Sequence, residues 1–335
     1  MPRFAFLVHA LTGFHRRAVG VRSLRPGLAL GRRDGTALGD VTEICRVGLR
    51  GVAEGVVVNV PLTPEQMLAD QERALSRMMR AAALAGPVGA IGLGSLCAVV
   101  AGRGEALAAQ VSSPVTTGGA ATAWALWQNT RRVLAVRPGP VGIVGSSGAV
   151  GGAVAALLAE DGVALRLDHP RAARGVPGAT AFAGPAEAVE GCEIIVGAGP
   201  TGATLPAEAV KPGAVIIDVA LPATARGRLP RGVRVLAGEA VCLPAGWDRD
   251  GWGWLYHVLA GYGPTQVFAC VIEPLVLAAI GRDRPFALGR KIEIEAIRTF
   301  ATAAEGFGFK PRLARGWVEV APERLALAAP RALIG

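Results

Sequence analysis

The sequence predicts an α/β protein with two parallel-sheet domains, and three observations carry that reading. Uncharged runs of strand length alternate with runs of helix length along most of the 335 residues, the pattern of βαβ units. One such strand, Val141–Val144, ends in Gly145-Ser-Ser-Gly148-Ala-Val-Gly151 and continues as an apolar helix. Residues 131–140 are rich in Arg, Pro and Gly, the composition of a hinge between domains. With 51% of residues apolar and 18% charged, the chain has a core to bury and is neither disordered nor fibrous.

The first stretch, 1–132, is expected to be an α/β domain. Residues 4–9 form an apolar strand. Thr63 as N-cap, Pro64 at the first helical position and Gln66 as its capping-box partner open a helix that should run to Gly86-Pro87, with Leu68, Leu75, Met79 and Ala82 on one face. Residues 88–93 and 115–117 read as further strands, and 120–131 as another helix.

The second stretch, 133–243, opens on the glycine turn. Glycines at G-x-x-G-x-x-G spacing between a strand and a helix let the backbone approach a pyrophosphate, which the helix N-terminus then holds with N–H donors and its positive dipole end. A plain close-packed turn would use the same glycines. As a dinucleotide site, a Rossmann-type domain would use Gly145, Ser146, Ser147, Gly148, Val150 and Gly151. Later strands end in Asp168, in Gly197-Ala-Gly199, in Asp218 and near Gly238, and such carboxyl ends border the ligand in an open parallel sheet. Asp168 stands where a carboxylate accepts from a ribose 2'-hydroxyl, which favours NADH. Arg166, His169, Arg171 and Arg174 crowd the same place and suit the 2'-phosphate of NADPH. The residues argue both ways.

The third stretch, 244–335, completes the substrate domain with helices. It begins with a Trp-rich loop containing Trp247, Trp252 and Trp254, and continues as an apolar segment, 264–280, read as a helix. Within it Cys270 and Glu273 are three apart and share a face. Pro274 has no N–H for the carbonyl of Cys270, so a kink is expected beside the thiol. His257, the only histidine here, suits a core position or a proton shuttle.

Several classes are excluded. A net charge of +9 arises almost wholly from arginine, since Lys211, Lys291 and Lys310 are the only lysines. No Lys/Arg run exceeds a pair and none is interleaved with aromatics, so no nucleic-acid surface is expected. Three uncharged windows, 81–102, 110–130 and 138–159, reach membrane-span length, but their glycines and Pro87 suit buried strand-turn-helix units. No stable membrane insertion is expected, and the start lacks a cleavage site, which reads as cytoplasmic. Five cysteines without a C-x-x-C suggest neither disulfides nor a metal site.

Over nearly its whole length the chain resembles the long-chain acyl-[acyl-carrier-protein] reductases of cyanobacteria and their bacterial relatives. The resemblance rests on Val58-Asn-Val-Pro-Leu-Thr-Pro-Glu-Gln66, Gly92-Leu-Gly94, Pro114-Val-Thr-Thr-Gly118, the glycine turn, and Gln266-Val-Phe-Ala-Cys270-Val-Ile-Glu273. It implies that Cys270 takes the acyl group from a thioester on acyl carrier protein or CoA, and that NADPH then releases an aldehyde. Glu273 would move the proton, and Thr117, with the backbone near Gly118, would steady the oxyanion. A basic surface would then attract an acidic carrier. The chain departs from the family pattern at Gly119 and Ala121, where polar residues are expected. Two other functions fit the sequence: an oxidoreductase like shikimate or methylene-folate dehydrogenase without a covalent step, and a dinucleotide sensor without turnover.

Overall fold

The computed structural model describes residues 1–9, 41–199, 204–220, 223–250, 265–315 and 318–326. In chain order, β1 (Arg3–His9), β2 (Thr42–Leu49), β3 (Ala53–Val60), α1 (Pro64–Ala69), α2 (Gln71–Ala85) and β4 (Ala90–Leu93) come first. Two short helices, α3 (Val100–Arg103) and α4 (Glu105–Ala108), lead to β5 (Val115–Thr116) and the long α5 (Gly119–Leu134). Next are β6 (Val141–Val144), α6 (Ala149–Glu160), β7 (Leu165–Leu167), β8 (Ala179–Ala181), α7 (Pro185–Val189), β9 (Ile194–Gly197) and β10 (Leu205–Pro206). They are followed by β11 (Val215–Asp218), β12 (Ala225–Arg226), β13 (Arg234–Ala237), β14 (Ala240–Cys242), β15 (Trp247–Arg249) and β16 (Gln266–Phe268). The last are α8 (Ala269–Ala279), α9 (Ile294–Gly306), β17 (Lys310–Pro311), β18 (Ala314–Arg315) and β19 (Val318–Glu319). Trp252, Trp254 and His257 lie outside the described residues.

The chain divides into two units. Unit 1 is Met1–Trp124 with Ala240–Lys310, and unit 2 is Ala125–Glu239 with Pro311–Gly335. Each is an α/β sheet unit, as the sequence predicts, and the segment that carries Cys270 belongs to unit 1.

In unit 1 six strands lie in the order β15-β2-β3-β1-β4-β5, with β3, β1, β4 and β5 mutually parallel, β2 antiparallel to β3, and the edge strand β15 antiparallel to β2. Residues 4–9 of the central strand are all buried, because both faces are covered. Ala5 and Leu7 pack into a core with Met67, Met78 and Leu93, while Phe6 and Val8 face Val57, Cys45 and the start of α8. Helix α8 lies across β1, β3 and β4. Small residues make room for it: a Cβ on Gly92 would stand 2.4 Å from Pro274 Cγ. The helix runs on through Pro274.

Unit 2 holds an eight-stranded sheet, β19-β18-β13-β11-β9-β6-β7-β8. Its six strands from β8 to β13 are parallel. Numbered from β6, they run 3-2-1-4-5-6, the doubly wound order in which chain direction across the sheet reverses beside the first strand. No helix among the described residues is long and apolar enough to cross a membrane.

Two helices differ from expectation. The single helix expected after Thr63 is two, because Asp70 ends α1 and starts α2 by accepting from Arg73 N at 2.9 Å. That break resets the helical phase. Ala74, Met78, Ala81, Ala82 and Ala85 turn inward, while Leu68 and Met79 are exposed. The segment read as one helix from 264 begins as strand β16, paired with β14, and turns helical only at Ala269.

The capping box itself is formed: Thr63 Oγ1 accepts from Gln66 N at 3.3 Å and Gln66 Oε1 from Thr63 N at 3.0 Å. Thr63→Ala is expected to cost about 1 kcal/mol, lowering the thermal midpoint by roughly 2–4 °C in calorimetry.

Candidate functional site

The chemistry-bearing residues of unit 1 meet where the loop from β5 into α5 touches the first turns of α8. Gly118, with φ +73°, presses on the thiol residue: a Cβ there would stand 2.4 Å from Cys270 Cβ and 3.2 Å from the Cys270 carbonyl oxygen. Any side chain at 118 would displace the helix start. Cys270 sits in the first turn of the 11-residue α8, where the helix's positive end favours an anionic sulfur. It is half-buried, beside the cluster of Phe6, Val8 and Val57.

One turn on, Glu273 is wholly buried and accepts from Ala121 N at 2.7 Å and from Thr116 Oγ1. Gly118 and Ala120 add backbone hydrogen bonds. These N–H groups open α5, which has no acidic residue of its own in its first turn. Glu273 therefore caps the N-terminus of α5 from another helix. Burial still dominates, pushing its carboxyl up from 4.5 to about 7 against those hydrogen bonds.

Thr116 makes this a relay with a direction. Its single hydroxyl proton has two acceptors, Glu273 and the Ala287 carbonyl at 3.2 Å. With Glu273 ionised, Thr116 donates to it. With Glu273 protonated, the carboxyl donates to Thr116 Oγ1, whose proton turns to Ala287.

Thr117 is held by Ala287: its N–H donates to that carbonyl at 2.9 Å and its hydroxyl at 3.4 Å. The backbone near Gly118, expected to steady an oxyanion, instead serves Glu273. Ala121 is wholly buried, and a Cβ on Gly119 would meet Ile292 at 2.9 Å, so neither place has room for the polar side chain expected there. Three of the other four thiols are poor competitors. Cys45, Cys97 and Cys192 are buried, and desolvation pushes Cys97 up to about 12.

In unit 2 the glycine turn has the close contacts that require glycine. At Gly145, φ is +87°, and a Cβ would lie 2.6 Å from Gly199 N; one on Gly151 would lie 2.2 Å from the Gly145 carbonyl oxygen. Gly148 is the N-cap of the 12-residue α6, with no side chain capping it. Ser147 is exposed and Val150 half-buried beside these N–H groups.

Asp168 braces the turn. Its oxygens accept from Gly145 N at 2.7 Å, Ser146 N at 3.0 Å and Ser146 Oγ at 2.5 Å. Next to it, His169 Nδ1 accepts from Arg171 N at 3.1 Å. Arg166 is directed elsewhere, donating to the carbonyls of Glu187 and Ala188 and stacking on Phe182.

Gly197 is small because Asp218 and Thr224 crowd it, each with an oxygen 2.4 Å from where its Cβ would be. Asp218 holds the chain after β11 by accepting from Ala220 N, Thr224 N and Thr224 Oγ1. Sequence reasoning gave Thr116 no role of its own although it lies in Pro114-Val-Thr-Thr-Gly118, and missed Thr224, since an isolated threonine carries no pattern. No cluster of metal-ligating side chains occurs among the described residues.

No family model matches the chain. A curated relative, Aminotransferase PigE of Serratia sp. (strain ATCC 39006), is 29% identical over 278 residues, covering 76% of this chain. The alignment takes in 32% of that protein, so the chain spans about a third of its relative's length. A solved structure of D-lactate dehydrogenase with NAD+ from Lactobacillus jensenii aligns at 13% identity over 65% of this chain and 71% of that one, with a TM-score of 0.25. A likeness so slight carries no argument about chemistry.

The relative corrects the activity expected from the sequence. It is named an aminotransferase, and the reduction of an acyl thioester to an aldehyde, with its acyl-cysteine intermediate, gives way to that finding. The residues of this chain do not fit the pyridoxal phosphate that transamination uses, which needs a lysine in a sheltered site. Lys211 and Lys291 are 45% and 80% exposed and paired with Glu193 and Glu293, and Lys310 is also exposed.

Two measurements check the unit 1 geometry. Glu273 titrates higher when folded than unfolded, so its contribution to stability is full below about pH 4.5 and is lost as pH rises to about 7. Glu273→Gln is expected to remove up to about 3 kcal/mol of that pH dependence, seen as a flatter curve of unfolding free energy between pH 5 and 8. Brief alkylation with iodoacetamide followed by peptide mass mapping is expected to modify half-buried Cys270 and Cys242 well before Cys45, Cys97 and Cys192.

Proposed function

We propose that this chain is a nicotinamide-dinucleotide-dependent oxidoreductase whose cofactor sits on unit 2. One observation carries the reading: the first strand of a parallel sheet in 3-2-1-4-5-6 order ends in the glycine turn and the uncapped N-terminus of α6. In doubly wound sheets that point of reversal is where a dinucleotide lies, its pyrophosphate on the helix N-terminus. When bound, the cofactor supplies hydride chemistry. This chain's part is to shape the turn, through Asp168, and to present the backbone N–H groups from Ala149 to Gly151.

NADPH is the proposed form. Asp168 already accepts three hydrogen bonds from the turn, which offsets its preference for a ribose hydroxyl, and Arg171 and Arg174 follow closely in sequence. The relative's name supports a second reading, an amino-group transfer by a longer protein of which a chain like this is one part. The three surface-exposed lysines place no such step on the described residues.

Titration calorimetry with NADPH and NADH tests the proposal. Binding of NADPH at least tenfold tighter than NADH, about 1.4 kcal/mol, is expected. Gly151→Ala should weaken both by a hundredfold or more, because the added Cβ forces the Gly145 carbonyl aside. Asp168→Asn should weaken both as well, through the loosened turn. If neither nucleotide binds the wild-type chain, the proposal fails.

A further inference from the structure

His9 and Ser95 meet at the carboxyl end of the unit 1 sheet. His9 is the last residue of β1 and is 3% exposed, while Ser95 stands two residues beyond the end of β4 and is exposed. Their side chains hydrogen-bond, His9 Nε2 to Ser95 Oγ, at 2.9 Å. Ser95 has φ +53°, a left-handed backbone that glycine adopts freely and serine does not. Strain of that kind persists only where the surroundings enforce it, and it gathers at functional sites. Several contacts enforce it here. Gly94 N donates to the Leu7 carbonyl at 2.8 Å, a Cβ on Gly94 would stand 2.5 Å from Phe6 Cζ, and the buried Cys97 thiol accepts from the His9 backbone. The result is an exposed serine on a fixed corner, with a buried imidazole against its hydroxyl.

The place is also where an open parallel sheet takes its ligands. Counted in chain order, the parallel strands of unit 1 lie 2-1-3-4, with β1 first, β3 second, β4 third and β5 fourth. The chain therefore leaves β1 towards one edge of the sheet and β4 towards the other, and the carboxyl ends of β1 and β4 flank the point of reversal. His9 ends one of those strands and Ser95 follows the other.

We propose that Ser95 and His9 are a nucleophile and its base, and that they hydrolyse carboxylic esters. With the imidazole proton on Nδ1, Nε2 accepts from the serine hydroxyl within the distance such pairs use. Nε2 takes that proton as Oγ bonds the carbonyl carbon. The tetrahedral intermediate expels the alcohol, which leaves with the proton, and an acyl-serine remains. Water then gives one proton to Nε2 and adds to the acyl carbon, and Oγ departs with that proton. One ester and one water become one acid and one alcohol, without oxidation or reduction. An ester suits a single imidazole, because an alcohol is a better leaving group than an amine.

The test needs no dinucleotide, so its failure and that of the oxidoreductase reading are separable. The full chain is treated with a fluorophosphonate, which phosphonylates activated serines, and its peptides are mapped by mass; p-nitrophenyl acetate reports turnover. Wild type is expected to take one phosphonyl group on the peptide containing Ser95 and to release p-nitrophenol. Ser95→Gly should lose the label and slow ester turnover at least tenfold. Its thermal midpoint should match or exceed that of wild type, because glycine takes φ +53° without strain. His9→Gln, which can bond the hydroxyl but cannot take its proton, should be labelled at least a hundredfold more slowly. If His9→Gln does not fold, Ser95→Gly decides alone. No label on wild type, a label on another residue, undiminished turnover by Ser95→Gly, or labelling of His9→Gln at the wild-type rate overturns the proposal.

Discussion

The carboxyl of Glu273 is the constraint on which the unit 1 site depends. It is wholly buried, yet it gathers Thr116, Gly118, Ala120 and Ala121 from the loop between β5 and α5 onto a helix from the far end of the chain. Without it, three backbone N–H groups at the start of α5 would face an apolar interior with nothing to accept their protons. With it, the loop is drawn so close to α8 that only glycine fits opposite Cys270. The same burial that makes Glu273 useful as a cap lifts its titration to about 7, so the group that shapes the site also changes charge near neutrality. A proton gained or lost there turns the Thr116 hydroxyl between its two acceptors, Glu273 and the Ala287 carbonyl.

Two helix N-termini are treated in contrasting ways. That of α5 is filled by a carboxylate of the protein. That of α6 has only Gly148 as its N-cap and no side-chain acceptor, while Asp168 is bound to the turn before it. Under the proposed function, an anion supplied from outside would complete α6 in the way Glu273 completes α5. This is why the proposed cofactor seat lies on unit 2, and why Asp168 is better understood as part of its frame than as a reader of the ribose.

The corrected activity shows how short motifs mislead. A Cys three residues before a Glu, a Thr-Thr-Gly and a glycine turn are spacings, and spacings record which residues a fold brings together more faithfully than which reaction they serve. The structure does bring Cys270, Glu273, Thr116 and Gly118 together. Yet the N–H groups expected to meet a substrate oxygen are spent on Glu273, and the curated relative has the name of an aminotransferase. The lysines then separate the chain from transamination in turn, since each is at the surface.

By itself the sequence determined the local structure: the strand ending at Val144, the glycine turn, the capping box at Thr63, and the buried run of β1. These follow from steric limits on glycine, from the reach of a threonine hydroxyl, and from the demand that a strand covered on both faces be apolar throughout. Only the tertiary structure decided where the carboxylates point. Asp168 reaches back 22 and 23 residues to Ser146 and Gly145, and Glu273 reaches 152 residues to Ala121. Nothing local marks such a partner, because a carboxylate beside a glycine turn looks the same whether it faces a ribose or the turn itself.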